Sequence, residues 1–185
     1  MNFLRRVGVF FLDITQTVVT SLAIFLMIYL FVGRPHQVSG QSMYPNFHNG
    51  DYILTNMIGY RFSLPERGDV VVFAAPASPG DEYIKRIIGI PGDRIALRGD
   101  RVYLNGELEP DSFLPSNFTT APGRFLSEGQ EVTVPQDQYF VLGDNRGASS
   151  DSRAWGFVPR NKIVGKAFFR YWPVSAMGKV EEIHF

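Results

Sequence analysis

Cysteine is absent from all 185 residues, which excludes a thiol nucleophile, a disulfide staple and a thiolate metal site. The absence says little about compartment, because a chain of this length can stabilise a core without bridges. Histidine is scarce: His36, His48 and His184 are the whole supply, so a zinc centre is poorly provided for. Neither sign of charge is in excess, with 18 Lys and Arg against 18 Asp and Glu, and no basic run is longer than two residues. Nothing here attracts a polyanion, and nucleic acid is not an expected partner. Beyond residue 35 there is no internal repeat and no sustained helical period, which argues against a bundle or a solenoid.

Residues 14–33 are an uncharged apolar run. As a helix it matches a hydrocarbon layer of about 30 Å, and it reads as one transmembrane span. Arg5 and Arg6 precede it, so the positive-inside tendency puts residues 1–13 in the cytoplasm and 34–185 outside, although Arg34 on the far side weakens the bias. A cleavable secretory signal is the competing reading. The run exceeds the usual apolar length of about 7 to 15 residues in such signals, and Val38-Ser39-Gly40 is a poor cleavage site too far downstream.

After the span the pattern changes to short runs rich in Val, Ile, Tyr and Phe, bounded by Gly, Pro, Asp or Asn. These predict strands over 52–55, 69–73, 83–90, 94–97, 102–104, 131–134, 139–142 and 163–171. Turns are expected at Pro91-Gly92-Asp93 and Arg98-Gly99-Asp100, and a tight reversal at Asn105-Gly106. Residues 109–130 carry Pro, Ser, Thr and Gly without clear period, and 105–137 reads as a small variable excursion or cap. The expected fold is mainly β: a transmembrane helix followed by one coiled, mostly antiparallel β domain.

Ser42 lies in Ser39-Gly40-Gln41-Ser42-Met43-Tyr44-Pro45, nine residues beyond Gly33. A serine hydroxyl is a weak nucleophile and needs a base. His48 is close in sequence but reads as a solvated loop histidine. Lys85 is the alternative, in a strand of bulky apolar residues where alternation puts Tyr83, Lys85 and Ile87 on one face and Ile84, Arg86 and Ile88 on the other. One of the two adjacent cations must then face the core. Burial lowers a lysine pKa toward the neutral amine that a general base requires. Taken alone, the segment fits equally well a strand with two snorkelling edge cations. Residues 143–156 add two acids, two arginines, one asparagine and three serines directly after an apolar strand. Such a loop can orient a buried lysine and neutralise charges in pairs, and its arginines argue against a metal site.

In this order, the anchoring run, SGQSMYP at 39–45, RGDVVVF at 67–73, YIKRIIGIPGD at 83–93 and GDNRGASSDSR at 143–153 resemble the bacterial type I signal peptidases. That resemblance implies a membrane-bound serine endopeptidase that removes signal peptides from exported preproteins after small residues. It makes Ser42 the nucleophile and Lys85 the general base, working through an acyl-enzyme without a cofactor. Ser149 matches the position whose hydroxyl orients the lysine, and Asp144 with Arg86, like Asp151 with Arg153, match supporting ion pairs. Substrate contacts implied by motif position are Val38, Met43, Phe47, Ile53, Val72, Tyr83 and Ile84, each of which could equally be plain β core. The implied partners are preprotein signal peptides, membrane lipid and the export machinery, and the implied place is the inner, cytoplasmic membrane. The chain departs from one family branch at Gly40, where a serine supplies a second oxyanion donor, and from the usual Thr and Leu at Asn46 and Phe47. Two other readings are a non-catalytic membrane-anchored β module and a self-cleaving repressor with the same Ser/Lys chemistry. The second would carry a DNA-binding domain, which the first 35 residues cannot form.

Overall fold

The computed structural model describes residues 3–31, 33–76, 78–110, 113–114, 118–181 and 183. His184, residue 32 of the apolar run and parts of the 105–137 excursion lie outside the described residues. The chain divides into two compact units, Met1–Arg34 and Pro35–Phe185.

The first unit is helix α1 (Phe3–Phe31). It begins well before the uncharged run, because residues 3–13 carry no Pro or Gly breaker except Gly8 and continue the apolar pattern. Within it Arg5–Met27 is long and apolar enough to cross a membrane, and its large side chains, such as Phe10, Leu12, Val19 and Phe25, are exposed rather than packed in a core.

The second unit is built from antiparallel strands. The larger sheet contains β1 (Arg34–Gln37), β2 (Tyr52–Asn56), β3 (Val70–Ala74) and β4 (Glu82–Gly89). The smaller sheet follows in sequence with β5 (Arg94–Arg98), β6 (Arg101–Leu104), β7 (Glu107–Leu108) and β8 (Glu131–Thr133). The chain then returns to the larger sheet with β9 (Gln138–Leu142), β10 (Val158–Pro159), β11 (Ile163–Trp172) and β12 (Gly178–Lys179). The larger sheet runs β1-β2-β11-β3-β4-β9-β10 with β12 beside β11, and the smaller runs β7-β6-β5-β8. Among the described residues neither closes into a barrel.

Each of the eight expected strands is present within one or two residues. The turn chemistry is as read from the sequence: Asn105 and Gly106 both take positive φ, 55° and 93°, and so reverse the chain between β6 and β7 with the twist that a two-residue hairpin needs. The segment between β7 and β8 is more firmly attached than a loose excursion. Leu126 is fully buried with Ile95, Leu97 and Phe140, and Glu109 and Thr120 are buried as well.

Two registers matter for the site. β3 pairs with β4 through Val71 opposite Lys85 and Val70 opposite Arg86, and β4 pairs with β9 only from Arg86 onward. The stretch 82–85 therefore keeps one edge free of β9.

Candidate active site

Ser42 sits in the turn-rich segment between β1 and β2, held by short-range bonds such as Phe47 N–H to the Met43 carbonyl at 2.8 Å. Buried Met43 and Phe47 pin that turn to the core beneath it. The same segment is tied to the loop after β9, where Asn145 N–H donates to the Ser42 carbonyl at 3.0 Å. Gly143 lets the two segments approach this closely: a Cβ there would lie 2.2 Å from Ser149 Oγ and 2.4 Å from the Ser42 carbonyl oxygen.

Lys85 Nζ lies 2.7 Å from Ser42 Oγ and donates to the Ile84 carbonyl at 2.8 Å. The residue is 4% exposed. Burial pulls its amine down to about 8, while Asp151 and Asp144 pull in the opposite direction. The Tyr83 ring lies 5.4 Å from the same nitrogen, as expected for alternate residues of one strand face.

The expectation that one of the two adjacent cations would be buried needs correction, because both are. Arg86 is 2% exposed and makes a bidentate pair with Asp144, at 2.9 and 2.7 Å, and also donates to the Gly68 carbonyl. A guanidinium can be buried here because its charge and most of its donors are satisfied. Asn46 completes the arrangement by donating to Asp144 Oδ2 at 2.8 Å. Asp151 accepts two bonds from the Arg153 guanidinium at 2.8 Å and also takes the Arg153 N–H, capping the short helix α3 (Ser152–Trp155) once α2 (Gly59–Phe62) has been passed.

A third buried pair was not anticipated. Arg146 donates to both Glu109 oxygens, at 2.9 and 2.8 Å, and fastens the 105–137 segment to the loop that carries Asp144 and Asp151. Arg146 stood out as an arginine in the dense polar loop, but nothing in the sequence marked Glu109 as its partner.

The Ser149 hydroxyl oxygen is buried and has no hydrogen-bond partner among the described residues, while Lys85 Nζ donates to the Ile84 carbonyl. Gly40 is also committed, its N–H donating to Asn49 Oδ1 at 2.8 Å. His48 is exposed and packs edge-on against Tyr44, outside the Ser42 and Lys85 contact.

A cleft of about 310 Å³ opens beside Ser42 and Lys85. Of the seven implied substrate contacts, Val38, Ile53, Val72, Tyr83 and Ile84 line it. Met43 and Phe47 do not: they are 1% and 3% exposed, and Phe47 faces Arg170, whose guanidinium carbon is 5.7 Å from the ring centre. A larger cavity of about 490 Å³, lined by Asp69, Lys166 and Lys179 among others, has no hydroxyl among its described lining residues and includes neither Ser42 nor Lys85.

Residues 11–172 match the family model described as signal peptidase, peptidase S26. A probable signal peptidase I-2 from Synechocystis sp. is 42% identical over 172 residues, covering 90% of this chain and 76% of that protein. Signal peptidase IB from Staphylococcus aureus is 36% identical, covering 85% of this chain and 89% of that protein. A crystal structure of a signal peptidase I from Enterococcus faecalis V583 is 31% identical, with a TM-score of 0.43, and covers 56% of this chain and 97% of that one. With a family match over most of its length and relatives this similar, the chain belongs to the signal peptidase family S26 and is a peptidase.

Proposed function

We propose that this chain is a membrane-bound serine endopeptidase that cleaves signal peptides from exported preproteins after small residues, with Ser42 as nucleophile and Lys85 as general base. The observation that carries the reading is the 2.7 Å contact between Ser42 Oγ and a lysine nitrogen that burial has brought down to about 8. An amine of that kind is neutral in a useful fraction of molecules near neutral pH, and a neutral amine can accept the serine proton.

In this reading Ser42 Oγ attacks the scissile carbonyl while its proton passes to Lys85 Nζ. The charged amine then gives that proton to the leaving nitrogen, and an ester remains on Ser42. Lys85, neutral again, activates the water that hydrolyses the ester. The Ser42 N–H, which has no acceptor among the described residues, supplies an oxyanion donor; Gly40 N–H is already bonded to Asn49. Asp144 with Arg86 and Asp151 with Arg153 act as scaffold. They hold the loop against Ser42 and move no proton.

Selectivity for small side chains is supported by the cleft floor. Val38, Ile53, Val72 and Ile84 are packed into the core and are no more than 9% exposed, so they form a shallow surface that a larger side chain would overlap. The open edge at 82–85 suits an extended peptide adding as a further strand. Helix α1 supports a single anchor in the cytoplasmic membrane. Arg5 and Arg6 support an N-terminus on the cytoplasmic side, with the catalytic unit outside, where it receives chains from the export machinery.

The test is cleavage of a purified preprotein in detergent by wild type, Ser42→Ala and Lys85→Ala, with the new N-terminus sequenced. A cut after a small residue that both variants lose supports the reading. Cleavage retained by either variant, or absent from wild type, refutes it.

A further inference from the structure

The contact between Ser42 and Lys85 closes at 2.7 Å between segments 43 residues apart, so the turn that carries the nucleophile must be held at a fixed distance from β4. Asn46 stands in that turn, four residues after Ser42. Its Nδ2 lies 2.8 Å from Asp144 Oδ2, and the same carboxylate is gripped by the Arg86 guanidinium at 2.9 and 2.7 Å. Arg86 follows Lys85 directly on β4. A closed ring of bonds therefore runs from Ser42 through the turn to Asn46, across Asp144 to Arg86, and back along β4 to Lys85.

A carboxylate only accepts hydrogen bonds, so the amide must turn its NH2 group toward Asp144. The second hydrogen of that group also has an acceptor, the Phe113 carbonyl at 3.4 Å, and the Phe113 ring lies over the Arg86 guanidinium at 4.9 Å. Arg86 and Asp144 are only 2% and 1% exposed at their side chains. A hydrogen bond to a charge so shielded from water is among the stronger ones. On the other side of the turn, Arg170 donates to the Asn46 carbonyl at 2.9 Å. We propose that Asn46 is a positioning residue for the peptidase reaction, whose side-chain donor holds the turn so that Ser42 Oγ stays within reach of Lys85 Nζ. The assignment rests on the peptidase reading above. Asn46 carries no charge and is not among the described lining residues of the cleft, so its effect falls on the placement of Ser42 and not on substrate binding or on the proton affinity of Lys85.

The test uses the full chain in detergent, a purified preprotein as substrate, and the variants Asn46→Asp and Asn46→Leu. Both keep the branched shape of the side chain and remove its donor; one adds a charge beside Asp144 and the other adds none. Denaturant unfolding first establishes which variants are folded, and either one alone decides. In each, kcat is expected to fall about tenfold or more while KM stays within about twofold of wild type. In Asn46→Leu the bend of kcat/KM against pH should remain at the wild-type position, with a lower plateau. A folded variant with kcat within about twofold of wild type, a loss carried by KM alone, or a bend displaced far enough in Asn46→Leu to account for the loss overturns the assignment alone. Failure of wild type to cleave the preprotein overturns the peptidase reading and this assignment with it.

Discussion

The α-carbon of Gly143 lies directly against the carbonyl oxygen of Ser42, so closely that an added Cβ would come within 2.4 Å of it. The loop after β9 thereby fixes where the Ser42 backbone sits. Gly143→Ala is expected to push the Ser42 segment away and lower kcat/KM by about 100-fold, the usual effect of a misplacement near 1 Å in an active site. Adding Ser149→Ala removes the serine Oγ but leaves its Cβ at 2.6 Å and the Ser42 backbone oxygen in place, so activity should stay low. Recovery in the double variant would show that the serine side chain, and not the Ser42 backbone, is what the glycine accommodates.

Activity should rise with pH as Lys85 loses its proton. Burial has lowered its pKa to about 8, so the neutral, active form decreases about tenfold for each unit below that value and levels off above it. A profile of kcat/KM against pH should therefore bend near 8. A rise that continues to the free lysine value of about 10.4 would mean that this amine is not the base.

The same shift has a consequence for stability. The folded pKa lies below the unfolded one, so the fold disfavours the charged amine. The penalty is full below about pH 8 and disappears as pH rises through 10.5, where the unfolded chain also becomes neutral. Wild type should gain stability across that window. Lys85→Met, which removes the buried charge, should be more stable than wild type at pH 7 by up to about 3 kcal/mol, the equivalent of the shift, while being inactive. Denaturant unfolding of both proteins at pH 7 and pH 10 measures this, and a less stable Lys85→Met would contradict it.

Arg146 and Glu109 are 3% and 2% exposed at their side chains and are bonded in a bidentate pair. Glu109→Ala leaves the arginine charge buried without its carboxylate, and a loss of about 3 to 5 kcal/mol is expected. Asp144→Ala should show a similar loss through Arg86. The informative comparison is hydrogen exchange in the 118–130 stretch, which should accelerate in Glu109→Ala, because that pair ties the segment to the loop after β9. Unchanged protection there would mean that Leu126 and its neighbours hold the segment by themselves.

Local chemistry was sufficient to read most of the architecture from the sequence. Residues 14–33 lack charge, strands such as 69–73 and 83–90 are dense in β-branched residues, and Asn105-Gly106 can take two positive φ angles, so each specifies its structure within a few residues. Short strands such as β1, which contains Pro35, and the two-residue β7, β10 and β12 carry no readable period and exist because longer neighbours offer them an edge. The sequence also singled out Ser42 and Lys85, through residue types that are unusual where they stand. Alternation names the face of a strand but not what covers it. Only the tertiary structure decided that Lys85 and Arg86 are both buried, that Arg146 meets Glu109, that Met43 and Phe47 go into the core, and that Asn46 reaches Asp144. These outcomes depend on how the sheets curl and which distant segments they bring together, because burial and pairing are set by neighbours tens of residues away in the chain.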